Sequence, residues 1–381
     1  DQRRHLRCAG QPRMSDFTIV GGVYRERCIE PLWDAIYGSA GRALAATAHL
    51  APGAHLVSYV DDATETGAQA LADGCGGTFQ GHQTPRISPP PGTQQNAPIM
   101  VSGDVVLRYG MLEGDAIVHA KKAIYDPQSS FGTTLFEANG SKAESLAVVL
   151  NTAEARSMTG LEDPKAAASS LIKDGAEVVV LKMGPLGALV LTADREQLVP
   201  LYKSPNVFKI GSGDVFSSTF AALWGVQGID PFEAADIASR ATAYYCNTRS
   251  LPPPDPTALR KQSFDPLTPG KGTIYLAGPF FDIGQRWLIE EANDLLVEMG
   301  AKVFSPVHAV GPGPANIVAP EDIAGLEASD VVFAILNGMD SGTVFEVGYA
   351  VKRGIPVVGL AQNVRPEDLK MMEGTGCEIH S

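Results

Sequence analysis

No apolar run in the 381-residue sequence approaches the ~18–20 residues that a bilayer-spanning helix needs, which argues against a membrane partner. Cysteine is scarce. The five residues (Cys8, Cys28, Cys75, Cys246, Cys377) are odd in number, scattered and without a C-x-x-C pair. That disfavours a disulfide framework and points to free thiols in a reducing, cytoplasmic setting. Positive charge is in deficit as well: 30 Lys and Arg stand against 43 Asp and Glu, a net charge of −13. Such a chain is a poor match for a nucleic-acid backbone, whereas small nucleotides, held by local groups, stay open as ligands. No internal repeat is visible, and His308 has no metal-ligand partner at a useful spacing, so it reads as a loop residue. What remains is ordinary for a globular protein: 44% hydrophobic and 19% charged residues, in a length sufficient for two domains.

Four prolines in the six residues Leu251–Pro256, followed by Pro266, Pro269 and two glycines, read as an extended linker over 251–272. Before it lie strands at Ala54–Val60, Ile117–His119, Ala123–Tyr125, Val178–Lys182 and Ala188–Leu191. Amphipathic stretches at Lys142–Leu150 and Pro231–Tyr245 alternate with them. After it come strands at Thr273–Leu276, Lys302–Phe304, Val331–Leu336 and Val357–Leu360, with helices over Trp287–Met299 and Val344–Lys352. Alternation of this kind predicts two α/β domains with largely parallel sheets, at 14–250 and 273–381. Residues 1–13 are Arg-rich and read as a leader or tag, and the Pro- and Gly-rich Gln83–Pro98 as a mobile loop. The chain stops at Ile379-His380-Ser381 without an apolar closing element, which reads as a shortened C-terminal domain.

The second half carries Asp340-Ser341-Gly342-Thr343-Val344-Phe345-Glu346 directly after the apolar strand Val331–Leu336 and the turn Asn337-Gly338. Two carboxylates six residues apart therefore sit at the C-terminal mouth of a strand and the start of a helix, where open α/β sheets bind ligands. A helix N-terminus favours negative charge, so Glu346 is expected to stay ionised and available as a nucleophile. An ordinary capped helix start gives the same spacing, and spacing alone leaves that alternative equally open. Upstream, Tyr275-Leu276-Ala277-Gly278-Pro279-Phe280-Phe281 is a strand running into a tight turn with aromatics at its exit, suited to a base or sugar face.

These elements, with Asp322-Ile323-Ala324-Gly325-Leu326 and Ser329-Asp330 in the same order, closely resemble the nucleoside 2-deoxyribosyltransferase family. The resemblance implies that Glu346 attacks the anomeric carbon of the deoxyribose. It also implies that Asp340 and Asp322 hold and protonate the departing base, and that Tyr275 orients Glu346. Gly278, Phe280, Phe281, Gly342 and Thr343 would contact the substrate, with no cofactor needed and a homo-oligomer expected. Asp330 reads as a structural cap.

In the first half, Gly211-Ser212-Gly213-Asp214 opens a helix. Small residues at a helix start let backbone N–H groups surround an anion, and an Asp there can take a proton from an attacking hydroxyl. With Asp126-Pro127-Gln128, Asn151-Thr152-Ala153-Glu154 and Lys182-Met183-Gly184-Pro185-Leu186-Gly187 preceding it, the segment resembles the ribokinase-like (PfkB) carbohydrate kinases from Met14 to Asn247. That implies an α/β/α sandwich followed by a smaller flavodoxin- or Rossmann-like domain. It further implies Asp214 as base, Gly211, Ser212 and Gly213 as anion hole, Asn151 and Glu154 near Mg²⁺ and phosphate, and Gly184 and Gly187 beside ATP. Where the family has Asp-Thr before its G-x-G-D, this chain has Lys209-Ile210. Its sugar-binding elements are replaced by Arg25-Glu26-Arg27-Cys28 and Gly38-Ser39-Ala40-Gly41-Arg42. The expected activity is cleavage or exchange of the N-glycosidic bond of nucleosides or their monophosphates. The alternatives are an ATP-dependent sugar or nucleoside kinase with a nucleotide-binding C-terminal domain, and a non-catalytic nucleotide sensor.

Overall fold

The computed structural model describes residues 17–29, 31–88, 96–128 and 132–381. The expected leader, the first residues of the expected first domain and residues 89–95 of the Gln83–Pro98 loop lie outside them. The chain divides into two compact units between Leu267 and Thr268.

The first unit contains strands β1 (Phe17–Val20), β2 (Arg25–Cys28), β3 (Trp33–Ile36), β4 (His55–Val60), β5 (Thr78–Gln83), β6 (Ile99–Tyr109), β7 (Ala116–Asp126), β8 (Lys142–Asn151), β9 (Val178–Lys182), β10 (Ala188–Leu191) and β11 (Glu196–Val199). Its helices are α1 (Gly38–Thr47), α2 (Glu65–Gly74), α3 (Thr152–Thr159), α4 (Pro164–Lys173), α5 (Ser212–Phe220), α6 (Pro231–Thr248) and α7 (Pro256–Lys261). Nine strands form one sheet in the order β11-β10-β9-β8-β7-β6-β1-β4-β5, while β2 and β3 make a separate hairpin. The sheet is parallel from β9 to β5 and antiparallel at β10 and β11. Side chains alternate across it: Ile19, Leu107 and Ile124 meet α1, α5 and α6 on one face, and Val20, Val106 and Tyr125 pack with α3 and α4 on the other. The result is the expected α/β/α sandwich.

Three elements differ from the sequence reading. Ile117–His119 and Ala123–Tyr125 belong to one long strand, because Ala120 and Lys122 keep their pairing with Gly103 and Val105 across the polar interruption. Lys142–Leu150 is a strand and not a helix. Its apolar residues fall at helical spacing, but Val148, Val149 and Leu150 are buried between β7 and β9, where β-branched side chains pack well. The proline-rich stretch contains α7, started by Asp255 capping Thr257 and Ala258, and Leu259 is buried in the first unit's core.

The second unit has strands β12 (Thr273–Ala277), β13 (Lys302–Phe304), β14 (Val331–Ile335), β15 (Val357–Leu360) and β16 (Glu378–His380), and helices α8 (Ile283–Glu298), α9 (Pro306–Ala309), α10 (Ala315–Glu327), α11 (Ser341–Arg353) and α12 (Pro366–Gly374). All five strands are parallel in the order β13-β12-β14-β15-β16. Renumbered within the unit this is 2-1-3-4-5, the flavodoxin-like order, whose ligand crevice lies where the chain reverses direction between β12 and β14. Glu378–His380 supplies an edge strand where the sequence reading saw no closing element. Its Ile379 packs on the core as one alternating apolar residue, too short a signal to read alone.

Candidate active site

In the second unit the crevice is built from the ends of β12 and β14. After β14 the chain turns through Gly338 (φ +86°) and Met339 (φ +46°), which brings Asp340 to the N-cap of α11. Asp340 Oδ2 accepts from the Thr343 amide (2.9 Å) and hydroxyl (3.2 Å). The acid is thereby held in one orientation at the helix mouth. Glu346 lies one turn further along. It flanks the buried residues Thr343, Val347 and Ala350 that seat the helix on the sheet.

Tyr275 is fully buried on β12 and donates its hydroxyl to Glu346 Oε1 at 2.7 Å. Its ring is fixed by stacking on Phe304 of β13, with centroids 5.6 Å apart and planes 14° from parallel. Phe304 in turn lies against Gly325 of α10, where an added Cβ would come within 2.2 Å of the ring. The glycine of the Asp-Ile-x-Gly-Leu segment therefore allows close helix approach, and Asp322, three residues earlier, faces the same side of α10. Asp322 Oδ1 is buried without a hydrogen-bond partner.

A cavity of about 170 Å³ joins these groups. Its lining combines Asp322, Asp340 and Glu346 with the apolar Leu276, Phe280, Ile289 and Val307. Phe280 and Phe281 stack on each other at 5.2 Å, and Phe281 is 66% exposed at the cavity mouth. Gly278 and Gly342 line the cavity too, and a Cβ on Gly278 would meet Ile289 at 2.7 Å.

Burial pushes the Glu346 carboxyl up to about 7, with Asp322 and Asp340 adding to the shift and the Tyr275 hydrogen bond opposing it. The expectation that the helix start keeps Glu346 fully ionised is thus corrected. Glu346 sits past the first turn, where the dipole's influence has faded, and desolvation wins. Burial, then neighbouring Glu321, likewise raises Asp322. Asp330 accepts from the Thr273 amide at 2.7 Å and ties the start of β12.

Sequence reasoning missed Ser305, His308 and Glu290. Ser305 borders the cavity, and His308 is no bare loop residue: its Nδ1 is 2.8 Å from Ser305 Oγ and its Nε2 2.9 Å from Glu290 Oε2. The Ser-Pro-x-His spacing, which returns i+3 to i across one helical turn, was the available signal.

In the first unit Asp214 sits near the start of α5. Its two carboxylate oxygens are both engaged: Gln128 Nε2 donates to Oδ1 at 2.7 Å and Arg42 Nη1 to Oδ2 at 3.2 Å. Arg42 is wholly buried. It also donates to both oxygens of Glu26 and, through Nε, to Tyr245 Oη at 3.1 Å. Gly211 (φ +73°) is required beside it, since a Cβ there would fall 2.0 Å from Arg42 Nε. Burial raises the Asp214 carboxyl, offset in part by Gln128 and Arg42.

Deeper in, Asp126 Oδ2 accepts from Lys182 Nζ (3.0 Å) and Ser217 Oγ (2.6 Å), while its Oδ1 is unpartnered. Burial works against the Lys182 ammonium, but Asp126 and Glu154 outweigh it and hold its proton on. Asn151 and Glu154 form a reciprocal capping box at α3, with bonds of 2.7 and 2.8 Å. Among the described residues no three His, Cys, Asp or Glu are grouped to hold a metal ion, a donor count that Mg²⁺ does not require, since it is ordinarily bound through one or two carboxylates together with substrate phosphates. Gly213 lies 3.8 Å, by its would-be Cβ, from Lys182 Nζ, with Ser212 opening α5 before it. Gly184 and Gly187 shape the turn after β9 at φ +55° and +91°.

Residues 274–379 match the family model for nucleoside 2-deoxyribosyltransferase, and residues 125–257 that for pfkB family carbohydrate kinase. The kinase match thus includes Asp126, Lys182 and Asp214 but begins after Glu26 and Arg42. A deoxyribokinase from Salmonella typhi is 36% identical over 85 residues, 21% of this chain and 28% of that protein. A deoxyribokinase from Salmonella typhimurium matches to the same extent. The chain therefore spans less than a third of the length of these curated relatives. Among solved structures, ribokinase from Thermotoga maritima is 17% identical with a TM-score of 0.47, over 65% of this chain and 100% of that one. Arabidopsis thaliana ribokinase complexed with ribose and ATP is 17% identical with a TM-score of 0.45, over 65% and 98%. No helix among the described residues is long and apolar enough to cross a membrane. The chain carries a pfkB family carbohydrate kinase domain followed by a nucleoside 2-deoxyribosyltransferase domain.

Proposed function

We propose that the second unit cleaves or exchanges the N-glycosidic bond of 2-deoxynucleosides or their monophosphates through a glycosyl ester on Glu346. The observation that carries this reading is the Tyr275–Glu346 hydrogen bond, set in a cavity that also holds Asp322 and Asp340. A Glu346 oxygen forms the new bond to the anomeric carbon as the bond to the base nitrogen breaks, and the electron pair leaves with the base. The base needs a proton, because an anionic purine or pyrimidine leaves poorly. Asp322 supplies it, since burial keeps that carboxyl protonated further up the pH scale than an ordinary aspartic acid. Asp340, fixed by Thr343, holds the base edge. Attack of a second base at the anomeric carbon frees Glu346 and gives exchange, and attack of water gives hydrolysis. Glu346→Ala is expected to abolish base release, followed by chromatography of deoxynucleosides and deoxynucleotides. Full retained activity would refute the assignment.

The pfkB match supports a second reading, in which the first unit transfers a phosphoryl group from ATP to a sugar or nucleoside with Asp214 as base. In that case Asp214→Asn abolishes ATP-dependent phosphorylation. An enzyme that consumes no ATP with any sugar or nucleoside acceptor excludes it. The engagement of both Asp214 oxygens by Gln128 and Arg42 weighs against this reading for a simple sugar.

A further inference from the structure

Beside its carboxylates, the second unit's cavity carries one further built polar device. Ser305 is buried (3% exposed) and stands at the N-cap of α9, where a serine side chain ordinarily accepts from a backbone amide. Here it makes no capping bond. Its hydroxyl turns instead to His308 Nδ1 at 2.8 Å, and His308 Nε2 reaches Glu290 Oε2 of α8 at 2.9 Å. The polarity of this chain follows from donor and acceptor counting. A carboxylate only accepts, so Nε2 carries the imidazole proton. When the ring is neutral, Nδ1 is then bare and can only accept, so in that state Ser305 Oγ–H donates to it. The hydroxyl proton is spent inside the protein, and the Ser305 lone pairs are what the cavity meets.

We infer that the Glu290–His308–Ser305 relay fixes Ser305 as a hydrogen-bond acceptor that selects nucleobases bearing an exocyclic amino group. This rests on the proposed glycosyl-transfer site. Phe280, Ile289, Pro306 and Val307 line the same cavity as Ser305 with surface suited to a flat ring, and Asp322, Asp340 and Glu346 line it too. A base lying on that surface presents its edge to Ser305. An amino N–H donates to the waiting oxygen, whereas a carbonyl in the same place sets oxygen against oxygen. Sites built to pair with a polar group reject ligands that leave that group unpaired. Ser305 and His308 are positioning and specificity residues in this scheme, and the bond chemistry stays with Glu346 and Asp322.

The test uses the full chain with free adenine, purine (which lacks the amino group) and hypoxanthine (which has a carbonyl there), measured by equilibrium binding. A parallel arm follows base release from the three corresponding 2′-deoxynucleosides. Wild type is expected to bind adenine about tenfold more tightly than purine or hypoxanthine, the ratio that one matched hydrogen bond supplies. Ser305→Ala is expected to bring adenine and purine within about twofold of each other. His308→Phe frees the hydroxyl to turn its proton outward, so hypoxanthine is expected to gain about threefold or more relative to adenine. A structural role for His308 would weaken all three bases together. Equal binding of the bases by wild type, ratios unchanged by both variants, or no binding of any base overturns the relay. If the binding ratios behave as described while wild type releases no base, the relay stands and the glycosyl-transfer reading falls.

Discussion

Replacing Tyr275 with phenylalanine removes one oxygen and leaves the ring that stacks on Phe304 in place. The lost group is the donor to Glu346 at 2.7 Å. Burial, followed by the nearby Glu346 charge, holds the Tyr275 proton well above the usual phenolic range, so the hydroxyl keeps its proton while Glu346 titrates. A hydrogen bond to a charged acceptor is worth about 1.5–3 kcal/mol, and 1.36 kcal/mol moves a titration midpoint by one pH unit. The hydroxyl favours the ionised carboxylate, so its removal favours the protonated form. The Glu346 midpoint, at about 7 in the wild type, is therefore expected between about 8 and 9 in Tyr275→Phe. Carbon-13 NMR of the full chain, labelled at the glutamate side-chain carboxyl and titrated from pH 5 to 10, reads this directly, with Glu346→Gln identifying the resonance. The same shift carries a stability signature. The native carboxyl binds its proton more tightly than the unfolded one, ordinarily at 4.5. Stability is therefore full below about pH 4.5 and is lost as the pH rises to about 7, by at most about 3 kcal/mol. In the variant that loss continues to about pH 9. A Glu346 midpoint that stays put or falls would refute the argument.

Asp322→Asn is expected to slow base release by about 10²–10⁴-fold, because the amide has no proton to give the leaving base. An arylated leaving group that departs without protonation, such as p-nitrophenol on deoxyribose, should be spared, and equal loss on both substrates would count against a proton-donor role. Arg42→Ala leaves Glu26 and Asp214 buried without their cation, at a cost of about 3–5 kcal/mol. Urea unfolding followed by the fluorescence of Trp33 and Trp224 measures it, and a change below about 1 kcal/mol would show the ion triad to be dispensable. Gly325→Ala drives a methyl into Phe304 and is expected to cost about 1–3 kcal/mol. Through the Phe304–Tyr275 stack it should also move the Glu346 titration, so an unchanged NMR midpoint would show that α10 does not set the position of the nucleophile.

Much of the second unit was legible, because strands such as β14 and β15 are short uninterrupted apolar runs, while α9, α12 and the Glu378–His380 strand were not read because each is short or lacks such a run. Val331–Leu336 and Val344–Lys352 both map onto observed elements within a few residues. The protonation of Glu346 was not legible, since it depends on how deeply Tyr275, Asp322 and Asp340 crowd one carboxyl in space. The serine–histidine–glutamate relay was hidden for a similar reason. Glu290 reaches His308 from a different element, eighteen residues away. In the first unit, Lys142–Leu150 misled because apolar residues at helical spacing can also fill a strand buried on both faces. Glu26 and Arg42 could be noted only as departures from a pattern, and their pairing needed the fold that carries the β2–β3 hairpin to α1.

The ion triad in the first unit also constrains how this protein can change. Arg42 satisfies Glu26 and Asp214 at once, and Gly211 keeps the one backbone shape that leaves it room. Replacing Arg42 alone strands both Glu26 and Asp214 in the interior, whereas replacing either acid leaves Arg42 paired with the other. Space beside Asp214 therefore opens at least cost when Arg42 and Glu26 change together, because Arg42 cannot leave by itself without stranding both acids.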